Sequence, residues 1–212
     1  MRPSHLVVIL ILALLGHQGG FSKDIVVEPK GVYKTIDVRL ANDTIKALQG
    51  GRAKTRSEHI KKILGAPENY APPVLFLLSS ILFEDNRKDE AMFWFYAGQL
   101  RARIDANLCT DQSAASAVGV LNEKFGSPIN QHAFKDIQKL KQTVKKVVEW
   151  EEKAGCNYDR RWINLHGMQA FNPDSSLPLS KPQQDWETIR TKTRAEYLTS
   201  FYAAMDALQM KN

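Results

Sequence analysis

The chain has 212 residues, with 29 Lys+Arg against 23 Asp+Glu for a formal charge of +6, and is 43% hydrophobic and 25% charged. With 12 Gly, 9 Pro, 2 Cys and 9% aromatics, this is ordinary globular usage, which excludes wholesale disorder, a collagen-like repeat and a cysteine-dense scaffold. The positive excess is mild, whereas a nucleic-acid binder concentrates a larger one on a single element.

Residues 1–22 read as a secretory leader. Arg2 supplies the positive n-region, Leu6 to Leu15 (LVVILILALL) is an unbroken apolar run, and Gly16-His17-Gln18-Gly19-Gly20 breaks the helix. Gly20-Phe21-Ser22 offers a small-residue cleavage site before Lys23. The apolar run is too short to cross a hydrocarbon core, which takes roughly 17–25 helical residues. Cleavage would leave about 190 residues, residues 23–212, as one exported, periplasmic domain with the charge lowered by one through loss of Arg2.

Asp24–Glu28 (DIVVE), the Pro29-Lys30-Gly31 turn and the same-parity residues Val32, Ile36, Val38 and Leu40 predict a short β hairpin over 23–41. Helical punctuation follows. Asn42 or Asp43 can cap a short helix ending at Gly50-Gly51. Thr55-Arg56-Ser57-Glu58 is a capping-box pattern opening a helix with Ile60, Ile63 and Leu64, closed by Gly65. Pro72-Pro73 suits a first helical turn, and Val74 to Phe83 (VLFLLSSILF) is apolar on nearly every side, as a buried helix is.

Glu84-Asp85-Asn86 turns into a second apolar stretch, Ala91 to Ala97 (AMFWFYA), before Arg101, Arg103 and Asp105 restore polarity. Together these form an antiparallel helical hairpin. Asp111 caps a small-residue helix through Ser113–Ala117. The spacing of Ile129, Phe134, Ile137, Leu140, Val144, Val147 and Val148 predicts one long amphipathic helix over 129–154. Residues 171–185 contain Pro173, Pro178 and Pro182 and read as a long loop, of the kind that often carries function. Trp186, Ile189, Thr193, Tyr197, Phe201, Ala204 and Leu208 trace one face of a last helix. The fold class is all-α, about seven helices with a small N-terminal hairpin.

Cys109 and Cys156 are the only two cysteines. In an oxidising compartment they are expected to pair, closing a loop of about 47 residues for ~4 kcal/mol; a catalytic thiol is the alternative. His59, His132 and His166 are far apart, and neither HExxH nor CxxC is present, so no metal or cofactor is expected. His59-Ile60-Lys61 begins an HxKxxxxD pattern whose Asp position holds Ala66. Serine elbows and phosphate loops are absent, and Glu149, Glu151 and Glu152 read as a solvated helical end. Without a base placed near a nucleophile, the chain is not expected to be an enzyme. Lys135, Lys139, Lys141, Lys145 and Lys146 form a basic face, either solvated or a dock for an acidic surface.

Pro72 to Cys109 resembles the helical hairpin of Sel1-like and tetratricopeptide repeats, with Ala91, Trp94, Phe95 or Tyr96, and Ala97 or Gly98 in the A-x-x-W-[FY]-x-x-A positions. The overall plan (leader, helical domain, cysteine pair, aromatic hairpin, no active site) is similar to exported immunity proteins of Gram-negative bacteria that protect against type VI secretion effectors, notably phospholipase D-type lipases. That resemblance implies a cognate effector as partner and inhibition by steric occlusion. The partner-binding residues expected on it are Arg160, Arg161 and Trp162, followed by the 172–184 loop with Asp174. An envelope helical-repeat adaptor and an unrecognised periplasmic hydrolase are the alternatives.

Overall fold

The computed structural model describes residues 28–172 and 177–210. At its centre lies the hairpin of α3 (Pro72–Glu84) and α4 (Lys88–Leu108). In α3 every residue from Pro72 to Ser79 is buried, as expected of a helix without a polar face. The turn closes as a Schellman motif: the Asn86 amide donates to Phe83 O and the Arg87 amide to Leu82 O. Asn86 takes the left-handed conformation (φ 61°) that asparagine tolerates.

Around this hairpin stand α1 (Arg39–Gly50), α2 (Ala53–Gly65), α5 (Ser116–Ala133), α6 (Ile137–Lys153) and α7 (Trp186–Gln209). The long α4 packs against α3, α5, α6 and α7, while α1 bridges α2 and α3. The all-α expectation with about seven helices holds for the described residues. The core is one connected cluster in which aromatic rings meet edge-on: Phe76 with Phe95 (5.4 Å), Trp94 with Trp150 (5.4 Å) and Tyr96 with Phe201 (5.3 Å). At Gly126 of α5, an added Cβ would lie 3.0 Å from Phe95 Cζ, so the absence of a side chain there sets how closely α5 approaches α4.

Several sequence expectations require correction. The second arm of the hairpin expected over 23–41 is not a strand: Gly31–Thr35 is a 3-10 turn and α1 begins at Arg39. The first arm lies largely outside the described residues. The helix wins because Val38, Ala41, Ile45 and Leu48 recur every three to four residues and pack on the core. Tyr33 and Ile36 instead join Leu179 in a small satellite cluster. The Thr55 capping box is not used, since α2 starts three residues earlier behind Arg52, which gives no side-chain cap.

The helix expected over 129–154 is two helices. Its apolar stripe runs on through a break at Phe134–Asp136, where the Asp136 carboxylate accepts from the Lys139 amide (2.9 Å) and starts α6. Period alone cannot see such a break when the stripe keeps its phase.

The cysteines also depart from expectation. Both are free thiols with different partners: Cys109 Sγ lies 3.0 Å from Asn164 Oδ1, and Cys156 Sγ 3.7 Å from Tyr158 O. Burial pushes the Cys109 thiol up to about 11 and raises that of Cys156, so neither is a ready thiolate nucleophile at neutral pH. No helix among the described residues is long and apolar enough to cross a membrane.

Candidate functional site

The C-terminal end of α4 carries a polar cap built from residues 105–113, 156–172, 177–181 and the N-terminal segment 31–38. Its root is Asp105, on the face of α4 that already holds Trp94, Ala97 and Arg101. Asp105 is 1% exposed. Its carboxylate accepts from Arg160 Nη1 (2.7 Å), Trp162 Nε1 (2.8 Å) and Tyr158 Oη (2.9 Å). Burial pushes this carboxyl above its ordinary value, and the three donors oppose that rise. Burial works against charge on Arg160 as well, but Asp105 beside it keeps the guanidinium protonated.

One turn earlier, Arg101 is fully buried, donates to Pro67 O (3.1 Å) and Gly155 O (2.9 Å), and lies 4.3 Å from the Trp150 ring centroid. Arg101 thereby joins the loops before α3 and after α6 to the central helix. Two side chains that in the sequence mark the return of polarity are therefore among the most deeply buried polar groups of the described residues. Their spacing gives the missed signal: Ala97, Arg101 and Asp105 sit four apart, continuing the buried face of Trp94.

A second buried acid is Glu151, which the sequence reading places on a solvated end. It accepts from Arg194 Nη1 at 3.0 Å, and Arg190 Nη2 lies 3.5 Å away, clamping α7 onto α6. The α6 basic face is partly neutralised as well: Lys139 pairs with Asp89, Lys141 with Asp206 and Lys145 with Glu149.

The residues expected to bind a partner are brought together but turned largely inward. Arg160 and Trp162 are held on Asp105. Arg161 forks onto Asp159 (2.7 and 2.9 Å) and donates to Thr35 O (3.0 Å). Asp159 in turn accepts from the Asp37 amide at 3.0 Å, so this pair staples the N-terminal segment to the cap. Burial works against the Asp159 carboxylate, but Arg161 and the amides of Asp37 and Arg161 hold it below the usual range. Asp174 lies outside the described residues.

What the cap presents to solvent is a short 3-10 turn, Met168–Phe171, with Met168 69% exposed and Phe171 57% exposed. Leu177 is also exposed. The backbone beneath is fixed: Asp111 Oδ2 accepts from the Gln169 amide (2.9 Å), and Ser113 Oγ accepts from the Met168 amide (2.8 Å). Gly167 makes this possible, because a Cβ there would sit 2.1 Å from Asp111 Oδ2. On the far side, the Lys181 amide donates to Leu108 O (2.8 Å), tying the returning chain to the end of α4. Sequence reasoning missed Met168 and Phe171 because apolar residues beside a short stretch look like core until the fold leaves them exposed among the described residues.

The His166 ring stands edge-on to Trp162 (5.6 Å), and desolvation pushes its imidazole below the ordinary value. Folding therefore favours the neutral ring. The associated stability is complete above a pH of about 6.5 and is lost as pH falls through the depressed folded value. Thermal midpoints are expected to decline between pH 7 and 5, and His166→Gln is expected to flatten that decline. An unchanged slope in the variant would assign it to other groups.

Among the described residues, no three His, Cys, Asp or Glu side chains converge in a metal-binding arrangement. The chain is 27% identical over 122 residues to an uncharacterized protein of Haemophilus influenzae, a match covering 56% of this chain and 44% of that protein. The chain thus spans less than half the length of that relative. No family model matches the chain, and no solved structure matches it.

Proposed function

We propose that this chain is a non-enzymatic, partner-binding protein of the immunity class. Exported to the periplasm by its leader, it binds a toxic secreted effector and occludes it sterically, the effector being a phospholipase on the sequence resemblance. The observation that carries this reading is the rigid presentation of Met168 and Phe171. Two large apolar side chains project from a backbone pinned to Asp111, Ser113 and Gly167. Exposed apolar groups on a preordered backbone bind with little ordering entropy left to lose, which is the condition for interface anchors. The α3–α4 hairpin, taken as Sel1- or tetratricopeptide-like, supplies the stiff frame. The inward use of Arg160, Arg161 and Trp162 supports a division in which these residues hold the cap and the Met168–Phe171 turn makes contact.

The test uses the effector encoded beside the gene, expressed with its own export signal. Deleting the present gene is expected to kill cells only while that effector is intact. Met168→Asp and Phe171→Asp are each expected to weaken binding about 30-fold, equivalent to ~2 kcal/mol, without shifting the thermal midpoint. A deletion that is harmless with the effector active in the periplasm would overturn the reading. Pull-down of several envelope proteins would point to an adaptor instead, and turnover of envelope lipids by the purified chain to a hydrolase.

A further inference from the structure

The positive charge of this chain is not where its sequence first suggests. Three lysines of the α6 face are paired with acids, as described above. Residues 52–62, covering most of α2, carry Arg52, Lys54, Arg56, Lys61 and Lys62 against the single acid Glu58. Among the described residues, none of these five makes an ion pair. Arg52, Lys54, Lys61 and Lys62 are exposed. Here, then, a cluster of cations on one short segment stands without ion-pair partners.

This basic face is also concave. A cleft of about 630 Å³ opens between α2 and the α3–α4 turn, with Arg56, Ser57 and Lys61 on one wall and Asp85 and Arg87 on the other. Ile60 and Leu64 contribute apolar lining. Arg87 is occupied by Glu90 at 2.6 and 2.8 Å, leaving Arg56 and Lys61 as the cations with no partner. Arg56 Nε is shielded from water and has no hydrogen-bond acceptor. Arg56 lines the cleft without an ion-pair partner, and an incoming carboxylate would meet its guanidinium with a charge-assisted bond. The neighbouring first turn of α2 adds to the same field, because Arg52 provides no side-chain cap and the turn contains no acid.

We propose that this cleft and the surrounding basic face receive an acidic segment of a partner protein, an Asp/Glu carboxylate seating on Arg56 and Lys61. The proposal rests on the reading of the chain as a partner-binding protein and gives that partner a chemical character: a carboxylate-rich surface facing α2. A protein segment fits better than an anionic membrane. A bilayer-binding surface pairs its lysines with exposed apolar side chains that enter the lipid, and no large hydrophobic residue from 41 to 64 is exposed. A cleft with apolar lining suits an inserted side chain. Charge complementarity of this sort chiefly speeds encounter and selects partners, and it is screened by salt over about 8 Å at physiological ionic strength.

The test measures binding of the full chain to a fluorescein-labelled, Glu/Asp-rich twelve-residue peptide by anisotropy at low and physiological salt. Arg52→Glu/Lys54→Glu/Lys61→Glu, at exposed sites with little bearing on folding, is expected to weaken binding tenfold or more. Lys135→Glu/Lys146→Glu/Lys153→Glu, on α6 and the turn before it, the same charge change elsewhere, is expected to cost less than threefold. Arg56→Gln alone is expected to cost severalfold, with a thermal melt confirming the fold. Equal losses from the two triple variants would show a response to net charge alone and overturn the proposal. So would undetectable peptide binding at low salt, or tighter binding to phosphatidylglycerol vesicles than to the peptide. Met168→Asp/Phe171→Asp should leave peptide binding intact. An unmutated chain that binds the peptide but gives no protection against the effector sinks the immunity reading alone, and failed peptide binding with protection intact sinks this proposal alone.

Discussion

Asp105→Ala is expected to destabilise the protein by about 3–5 kcal/mol, the loss typical of removing one partner from a buried ion pair. Set against the ~5–15 kcal/mol that holds a domain folded, that is a large fraction. The loss does not come from one broken contact. Arg160, whose side chain is 10% exposed, would keep a charge in a site with no carboxylate to meet it. Trp162 Nε1 and Tyr158 Oη would lose their acceptor at the same time. Asp105→Asn, which keeps an acceptor but drops the charge, should lose less. Pairing Asp105→Leu with Arg160→Met should recover most of the loss, since replacing both charges removes the stranded one. Urea denaturation checks the series, and a loss below ~1 kcal/mol for Asp105→Ala would show that the cap does not hang on this carboxylate.

Phe95→Ala is expected to cost a comparable 3–5 kcal/mol through a different cause. Phe95 is fully buried, meets Phe76 of α3 edge-on and sets the approach of α5 at Gly126. Truncation removes the ring that three helices share and leaves a cavity in an interior that relaxes only partly. Phe95→Leu should cost well under half as much, because most of the volume remains. In denaturant the midpoint should fall with an unchanged slope. A loss under ~2 kcal/mol would mean that α5 slides in to fill the space.

Where the sequence pattern is strong, the helices could be read from it closely. Pro72 and the apolar run to Phe83 place α3, and the spacing from Trp186 to Phe201 places α7. Reading fails where local pattern and tertiary contact compete. Val32 to Leu40 alternates like a strand, but Val38 and Ala41 find a helical neighbour in the core. The stripe from Ile129 to Val148 hides the Asp136 cap because the apolar phase survives the break. Of the site, Arg160, Arg161 and Trp162 stand out in the sequence as a cluster, yet Asp105, the partner of Arg160 and Trp162, lies more than 50 residues away. Glu151 looks solvated until α7 folds back and lays Arg194 on it.

The sequence by itself determined the class of fold: its apolar residues recur at helical spacing, in segments long enough for helices and bounded by turn residues, and that information is local. It also determined that charge is present in mild excess and that Pro72 to Cys109 forms a hairpin. Only the tertiary structure decided which charges matter. Burial and pairing depend on what arrives from distant segments, so Asp105 and Glu151 became internal fasteners, three α6 lysines were neutralised, and the lysines of α2 were left exposed without ion-pair partners. The same folding left Cys109 and Cys156 as separate thiols and Met168 and Phe171 uncovered. A side chain's type is written in the chain, but its environment is supplied by the rest of the molecule.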